Sequence, residues 1–151
     1  MAQNEPDSEI FEFAIFREIA AHNFYMALTK VVSDPQMRKV IEDLAKEELG
    51  HKEKLELELL KMGRTLPLEK DLPTPSEDNS IPNTDYLLNM DYKDILLLAI
   101  EKEEASFRTY VNLLPHAADA ESKDILLAIA EEEVKHKLRF EIEYNLLMKK
   151  I

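Results

Sequence analysis

The 151-residue chain has no cysteine and only two glycines, Gly50 and Gly63. Without cysteine there can be no disulfide, thiolate zinc site, thiolate-bound iron–sulfur cluster or cysteine nucleophile, so any metal must sit on oxygen and nitrogen. So little glycine favours long helices. Positive charge is also in the minority, with 19 basic against 31 acidic residues and a net charge of −12. That balance argues against nucleic acid or an anionic membrane as a partner. No uncharged apolar run approaches membrane-spanning length, and the N-terminal MAQNEPDSE lacks the basic and apolar regions of a secretory signal. A cytoplasmic location is expected. What is present, 45% hydrophobic and 33% charged residues, suits one globular domain over residues 1–151 with a real core.

Apolar residues recur every three or four positions in four stretches, which predicts an all-α chain. The first helix is expected from Asp7 to Val32, after the start signals Pro6, Asp7 and Ser8, with a seam through Phe11, Ala14, Glu18, Ala21, Tyr25, Leu28 and Val32. Ser33-Asp34-Pro35 ends it and opens the second, whose seam runs Ile41, Leu44, Glu48, His51, Leu55, Leu59, Met62 before the stop at Gly63. From Arg64 to about Met90 the pattern breaks among Pro67, Pro73, Pro75 and Pro82, which reads as a long crossover. The third helix is expected from Tyr92 to Leu114, and the fourth from Asp119 to Lys149.

The segment LAKEELGHKEKL, 44–55, places Glu48 and His51 on one helix face. It returns as IAEEEVKHKLRF, 129–140, with Glu133 and His136 at a constant offset of 85 residues. The same offset pairs Glu18 with Glu103 and Tyr25 with Tyr110, so the chain reads as an ungapped duplication. A Glu from each of two helices plus Glu-x-x-His from each of the other two is the ligand set of a carboxylate-bridged dimetal centre in a four-helix bundle.

Register supports that reading. Glu18 lies 16 residues before Asp34 and Glu48 lies 14 after it, so in an antiparallel hairpin the two carboxylates sit side by side, roughly 23 Å from the turn. The second hairpin repeats this about Asp119. Four carboxylates gathered in a core are untenable alone, because each buried unpaired ion costs several kcal/mol and like charges add repulsion. Two divalent cations balance Glu18, Glu48, Glu103 and Glu133, and His51 and His136 give one nitrogen to each. Symmetry assigns Glu18 and His51 to one ion, Glu103 and His136 to the other, and Glu48 and Glu133 to the space between. A carboxylate-rich set suits iron, with manganese or zinc as substitutes. The bland alternative is that these glutamates are surface residues of charged helices. A single Glu-x-x-His says little, but six identities at one offset, at matched heights on apolar seams, outweigh that alternative.

Tyr25 and Tyr110 lie two turns from Glu18 and Glu103, close enough for a hydroxyl to serve the centre, although core aromatics would give the same pattern. His22 has Phe107 as its counterpart, so a symmetric site has no use for it. His116, beside Pro115, is expected at the surface. Glu47, Glu101, Glu104, Glu131 and Glu132 neighbour the seam and are read as solvated, with Glu132 and Glu104 the first to reconsider.

With these motifs in place, the chain resembles the rubrerythrin-like branch of the ferritin-like superfamily, where E-x(6)-Y helices alternate with E-E-x-x-H helices. Here these are Glu18 to Tyr25 and Glu47-Glu48-Leu49-Gly50-His51, and the likeness covers nearly the whole chain. The resemblance implies a ferritin-like four-helix bundle with one long crossover between helices 2 and 3, holding two iron ions on Glu18, Glu48, His51, Glu103, Glu133 and His136. It further implies a non-haem di-iron oxidoreductase that reduces hydrogen peroxide or dioxygen, often as a homodimer. Two departures stand out. No cysteine-ligated rubredoxin domain accompanies the bundle, so an external donor such as a rubredoxin-type protein is expected. Ser106 also stands where relatives carry a further carboxylate, one turn after Glu103. The competing readings are a ferroxidase or iron-storage protein of bacterioferritin type, and a metal-binding protein without turnover.

Overall fold

The computed structural model describes residues 5–66 and 90–149, without the side chains of Glu5 and Pro6. The expected crossover lies almost wholly outside them. Helix α1 spans Glu5–Thr29 and α2 spans Pro35–Lys61. Then α3 spans Tyr92–Leu113, a 3₁₀ turn covers Leu114–His116, and α4 spans Ala120–Lys149. There is no strand among the described residues. None of these helices is long and apolar enough to cross a membrane.

Local chemistry sets the ends. Asp34 is extended and its carboxylate accepts the Met37 N–H at 3.2 Å, with Pro35 in the first helical turn where no N–H is needed. Arg38 then reaches back with two N–H bonds, 3.1 and 2.9 Å, to the Val32 carbonyl, fastening the α1–α2 turn. At the far end of α2, Gly63 takes φ +79. The Gly63 and Arg64 N–H groups, at 3.0 Å each, satisfy the Leu60 and Leu59 carbonyls in a Schellman closure. Asp91 caps α3 through the Asp94 N–H at 2.9 Å.

The bundle packs as two hairpins, α1 with α2 and α3 with α4. Its interior divides into two apolar clusters, and all four helices contribute to each. One gathers residues such as Phe24, Leu28, Ile41, Leu96 and Phe140, the other Phe11, Ile15, Leu55, Leu59 and Leu126. The glutamates at 18, 48, 103 and 133 belong to neither cluster: they form a polar layer between two dry plugs.

One fastening was not anticipated. Asp7, expected only as a helix start, is buried inside α1, and its carboxylate accepts the backbone N–H groups of Ala118 and Asp119 at 2.7 and 3.0 Å. It thereby satisfies two amides at the entrance to α4, which a helix start otherwise leaves unpaired.

Candidate metal centre

Each helix gives the polar layer one glutamate, and α2 and α4 each add a histidine one turn on. Glu18, Glu48 and Glu133 are fully buried, Glu103 is 2% exposed and His136 4%. The His51 side chain retains 14% exposure. The structure brings all six predicted residues together.

Both imidazoles turn Nδ1 towards the carboxylates. His51 Nδ1 is 2.9 Å from Glu18 Oε1, and His136 Nδ1 is 3.3 Å from Glu103 Oε2. Glu48 Oε1 lies 3.5 Å from the His51 nitrogen and 3.6 Å from that of His136, while Glu133 Oε1 lies 3.8 and 3.7 Å away. Glu48 and Glu133 are thus equidistant from the two histidines. The imidazole rings lie nearly parallel, 6.4 Å between centroids.

These groups fit bound metal. Both oxygens of Glu48, both of Glu133, Glu103 Oε2 and both nitrogens of His136 are buried without a hydrogen-bond partner. Buried polar atoms in folded proteins are nearly always partnered, so the six of these that face the layer, all but the outward-turned His136 Nε2, mark a place for something that binds oxygen and nitrogen. Two ligand atoms each about 2.1 Å from one ion and at right angles are about 3 Å apart, close to the spacings found here. Glu18, Glu48 and His51 form one group of potential ligands, and Glu48, Glu133 and His136 another. Iron fits this oxygen-rich set.

Without counterions the layer resists ionisation. Burial, then the charges of Glu18, Glu133 and Glu103, push the Glu48 carboxyl well above the usual range. Burial and the charges of Glu103 and Glu18 do the same to Glu133. For His136, burial works to lower the pKa, but its contact with Glu103 and the charges of Glu103, Glu47 and Glu132 prevail and raise it.

The two tyrosines reach the layer, but across the duplication. Buried Tyr25 donates to Glu103, and Tyr110 donates to Glu18 Oε2 at 2.5 Å. Burial and the adjacent carboxylates raise both phenols far above their ordinary value, so they remain proton donors at neutral pH. His22 is a packed residue, its Nδ1 3.0 Å from the Ala45 carbonyl, and His116 is exposed, as expected.

Glu47 differs from the expectation of a purely solvated side chain. Half exposed, it still places Oε2 3.4 Å from His136 Nε2, the face of the ring turned away from the layer. The signal was in the sequence, since Glu47 and Glu132 obey the same 85-residue offset as the core glutamates. Glu104, partly exposed, ion-pairs with Arg108 and Lys137 at 2.6 and 2.7 Å and takes no part.

Two cavities flank the layer. One, about 40 Å³, touches Glu103 and Glu133 and is lined by Ser106, Tyr25, Phe24, Arg17 and Lys102. The other, open and about 350 Å³, lies outside His51 and is lined by Glu47, Gly50, Lys54, Ile129 and Glu132 among others.

The family described as Rubrerythrin matches residues 9–144. No curated protein matches the chain. Among solved structures, bacterioferritin from Rhodobacter capsulatus, described with a metal-free dinuclear site and haem iron, superposes with a TM-score of 0.78 at 19% identity, covering 95% of this chain and 86% of that one. A hypothetical protein from Pyrococcus furiosus gives 0.70 at 23% identity, with 99% and 94% covered. A conserved hypothetical protein from Mycobacterium tuberculosis gives 0.70 at 15%, with 95% and 93% covered. At these identities the solved structures speak for the bundle alone.

Proposed function

The chain belongs to the rubrerythrin family, and from that premise we propose that it is a cytoplasmic non-haem di-iron oxidoreductase reducing hydrogen peroxide or dioxygen. The observation that carries the reading is the set of orphaned atoms around one point between Glu48 and Glu133. Glu18, Glu48, His51, Glu103, Glu133 and His136 would hold two iron ions, with manganese or zinc as substitutes. Held there, ferrous iron would supply two electrons, one per ion, enough with two protons to convert hydrogen peroxide to two waters.

The protein's own residues prepare that chemistry. The two apolar clusters exclude water on either side of the layer, which strengthens every charge interaction inside it. Tyr25 and Tyr110 hold Glu103 and Glu18 from the outside and fix their orientation, as partners of ligating carboxylates do. The cavity beside Ser106 reaches two of the carboxylates. A water needs roughly 10–15 Å³ of such space, so the cavity suits a molecule the size of peroxide or dioxygen. Its position beside Ser106, against Glu103 and Glu133, supports it as the oxidant's pocket.

An external electron donor, such as a rubredoxin-type protein, would return the two electrons. The proposed homodimer has an apolar surface available: Leu127, Val134, Leu138, Ile142 and Leu146 are 42–55% exposed along α4. Their spacing of seven, four, four and four residues puts them in one stripe.

Anaerobic loading with ferrous iron, followed by peroxide in a stopped-flow instrument, tests the reading. The expected result is rapid oxidation of two ferrous ions per peroxide consumed, with iron retained at two per chain. Continued uptake of iron beyond two, growing into mineral, would instead establish the ferroxidase and storage reading. Two bound ions that leave peroxide and dioxygen untouched would establish a metal-binding protein without turnover.

A further inference from the structure

Two glutamates that line the outer cavity, Glu47 and Glu132, meet His136 behind it in a second set of ligand atoms that the dimetal reading leaves unused. Glu47, Glu132 and His136 each offer one atom, all within 4.8 Å of one another. This is more than an acidic patch, because one member is a 4% exposed imidazole whose Nε2 is buried, unpartnered and aimed outward at Glu47. The two glutamates are equivalent residues of the duplicated halves, so they converge from α2 and α4 at the mouth of the cavity. Lys135 stands 3.7 Å from Glu132, and Lys54 lines the same cavity.

Gly50 adds an independent indication. It lies inside α2 at the cavity, where glycine weakens a helix. A Cβ there would meet nothing within 4 Å, and no positive φ is involved. Neither close packing nor backbone conformation explains the glycine. Its lack of a side chain leaves the mouth clear.

We propose that Glu47, Glu132 and His136 Nε2 form a loading site for one divalent cation, through which metal passes from solvent to the buried centre. The proposal rests on the dimetal reading and assigns it a route. Neutral imidazole has a single lone pair. When it lies on Nε2 a cation is held outside, with Nδ1–H facing the carboxylates. When it lies on Nδ1 the inner ion is held, and Nε2–H faces Glu47. Outer and inner binding at His136 therefore alternate: the outer site is a waypoint, and the saturated protein keeps two ions. The Glu47 and Glu132 charges draw cations to the mouth, and the adjacent inner carboxylates draw them onward. After loading, Glu47 serves as a positioning residue for the ring.

The test uses the full-length metal-free chain with cobalt(II) as the probe, following uptake by stopped-flow absorbance and final occupancy by elemental analysis. E47Q/E132Q is expected to reach two ions per chain, as the unaltered protein does, but at least about tenfold more slowly, the scale on which local charge steers ions. E42Q/E53Q removes the same charge from exposed positions on α2 and is expected to load at the normal rate. Equal rates in E47Q/E132Q and the unaltered chain would overturn the proposal. So would equal slowing in E42Q/E53Q, since general attraction would then account for the effect. As a direct check, E48Q/E133Q disables the inner centre and is expected to retain one weakly held manganese(II), seen by EPR, that disappears on adding E47Q. Retention of that ion after E47Q would also overturn the proposal. Failure of the unaltered chain to bind two ions would instead overturn the dimetal reading itself.

Discussion

Tyr25 donates its hydroxyl to Glu103, a carboxylate 78 residues away in the other half of the duplication, and Tyr110 returns the arrangement to Glu18. Each half therefore holds in place the outer carboxylate of its twin. The halves are joined through the centre as well as through apolar packing, so metal, tyrosine and fold should report on one another.

Tyr25→Phe and Tyr110→Phe should act alike. Each removes a buried donor to a carboxylate, an interaction of about 1.5–3 kcal/mol, and leaves one oxygen of Glu103 or Glu18 without that partner. Both variants should keep two ions per chain, lose stability in urea by roughly that amount and oxidise their iron more slowly. A loss confined to one of the two would contradict the reciprocal arrangement.

Much of this was legible in the sequence. The four helices fell where the apolar seams put them, because each seam carries its own stops: Asp34-Pro35, Gly63 and Pro115. The gathering of the six side chains was legible because duplication repeats a weak motif at one offset, and helix length fixes height along the bundle. The Tyr25–Glu103 pairing was not, since periodicity assigns a face but not the helix across from it. Asp7 was missed for the same reason: its partners are amides 111 and 112 residues on. The helical wheel turns Glu47 off the seam towards solvent, yet α4 brings His136 round to meet it.

Asp7 offers a structural control remote from metal. Asp7→Ala strands the Ala118 and Asp119 amides and should cost about 1–3 kcal/mol, the range for losing a charged partner from buried donors. Iron content and the rate of peroxide consumption should be unchanged. Reduced metal occupancy in the folded variant would show that the start of α4 is coupled to the centre.

Glu48→Gln should separate the two states of the protein. In the metal-free chain it removes a carboxyl that burial and three neighbouring carboxylates hold above its usual range, so that form should melt at the same temperature or higher. In the presence of metal it removes a ligand placed between both histidines. The several kcal/mol of stabilisation that metal gives by binding only the folded chain should then fall sharply. Calorimetry with and without iron measures both; a variant that melts lower in both states by the same amount would count against a role at the metal.

The pH dependence of the metal-free protein has a definite sign. As pH rises past about 4.3 the unfolded chain releases its carboxyl protons, while folded Glu48 and Glu133 keep theirs. The folded state then binds more protons, so stability falls with rising pH. His136, raised above its ordinary value, acts in the same direction: its contribution is full below about 6.5 and is lost as pH climbs through the raised folded value. Glu104, held low by Lys137 and Arg108, acts oppositely, but only at more acid pH. The metal-free melting temperature should therefore be higher at pH 5.5 than at 7.5, on the order of 4 °C for every tenfold difference in proton affinity between the folded and unfolded chain. Saturating iron should flatten or reverse the slope, because its ligands must be deprotonated.

The near-equal distances from Glu48 and Glu133 to the two histidines make the sharpest prediction about the centre. Glu18 Oε1 approaches His51, and Glu103 Oε2 approaches His136, whereas Glu48 and Glu133 stand between the rings. With metal bound, Glu18 and His51 should hold one ion, Glu103 and His136 the other, and Glu48 and Glu133 should span both. Removing an outer ligand weakens one ion directly, whereas removing a spanning carboxylate weakens both. Glu18→Ala and Glu103→Ala should therefore each retain about one tightly held ion per chain, and Glu48→Ala and Glu133→Ala should retain neither at the same iron concentration, a distinction that elemental analysis after dialysis reads directly. If Glu18→Ala empties the centre while Glu48→Ala keeps one ion, the spanning role belongs to the other pair, and the twofold symmetry of the site survives with its parts exchanged.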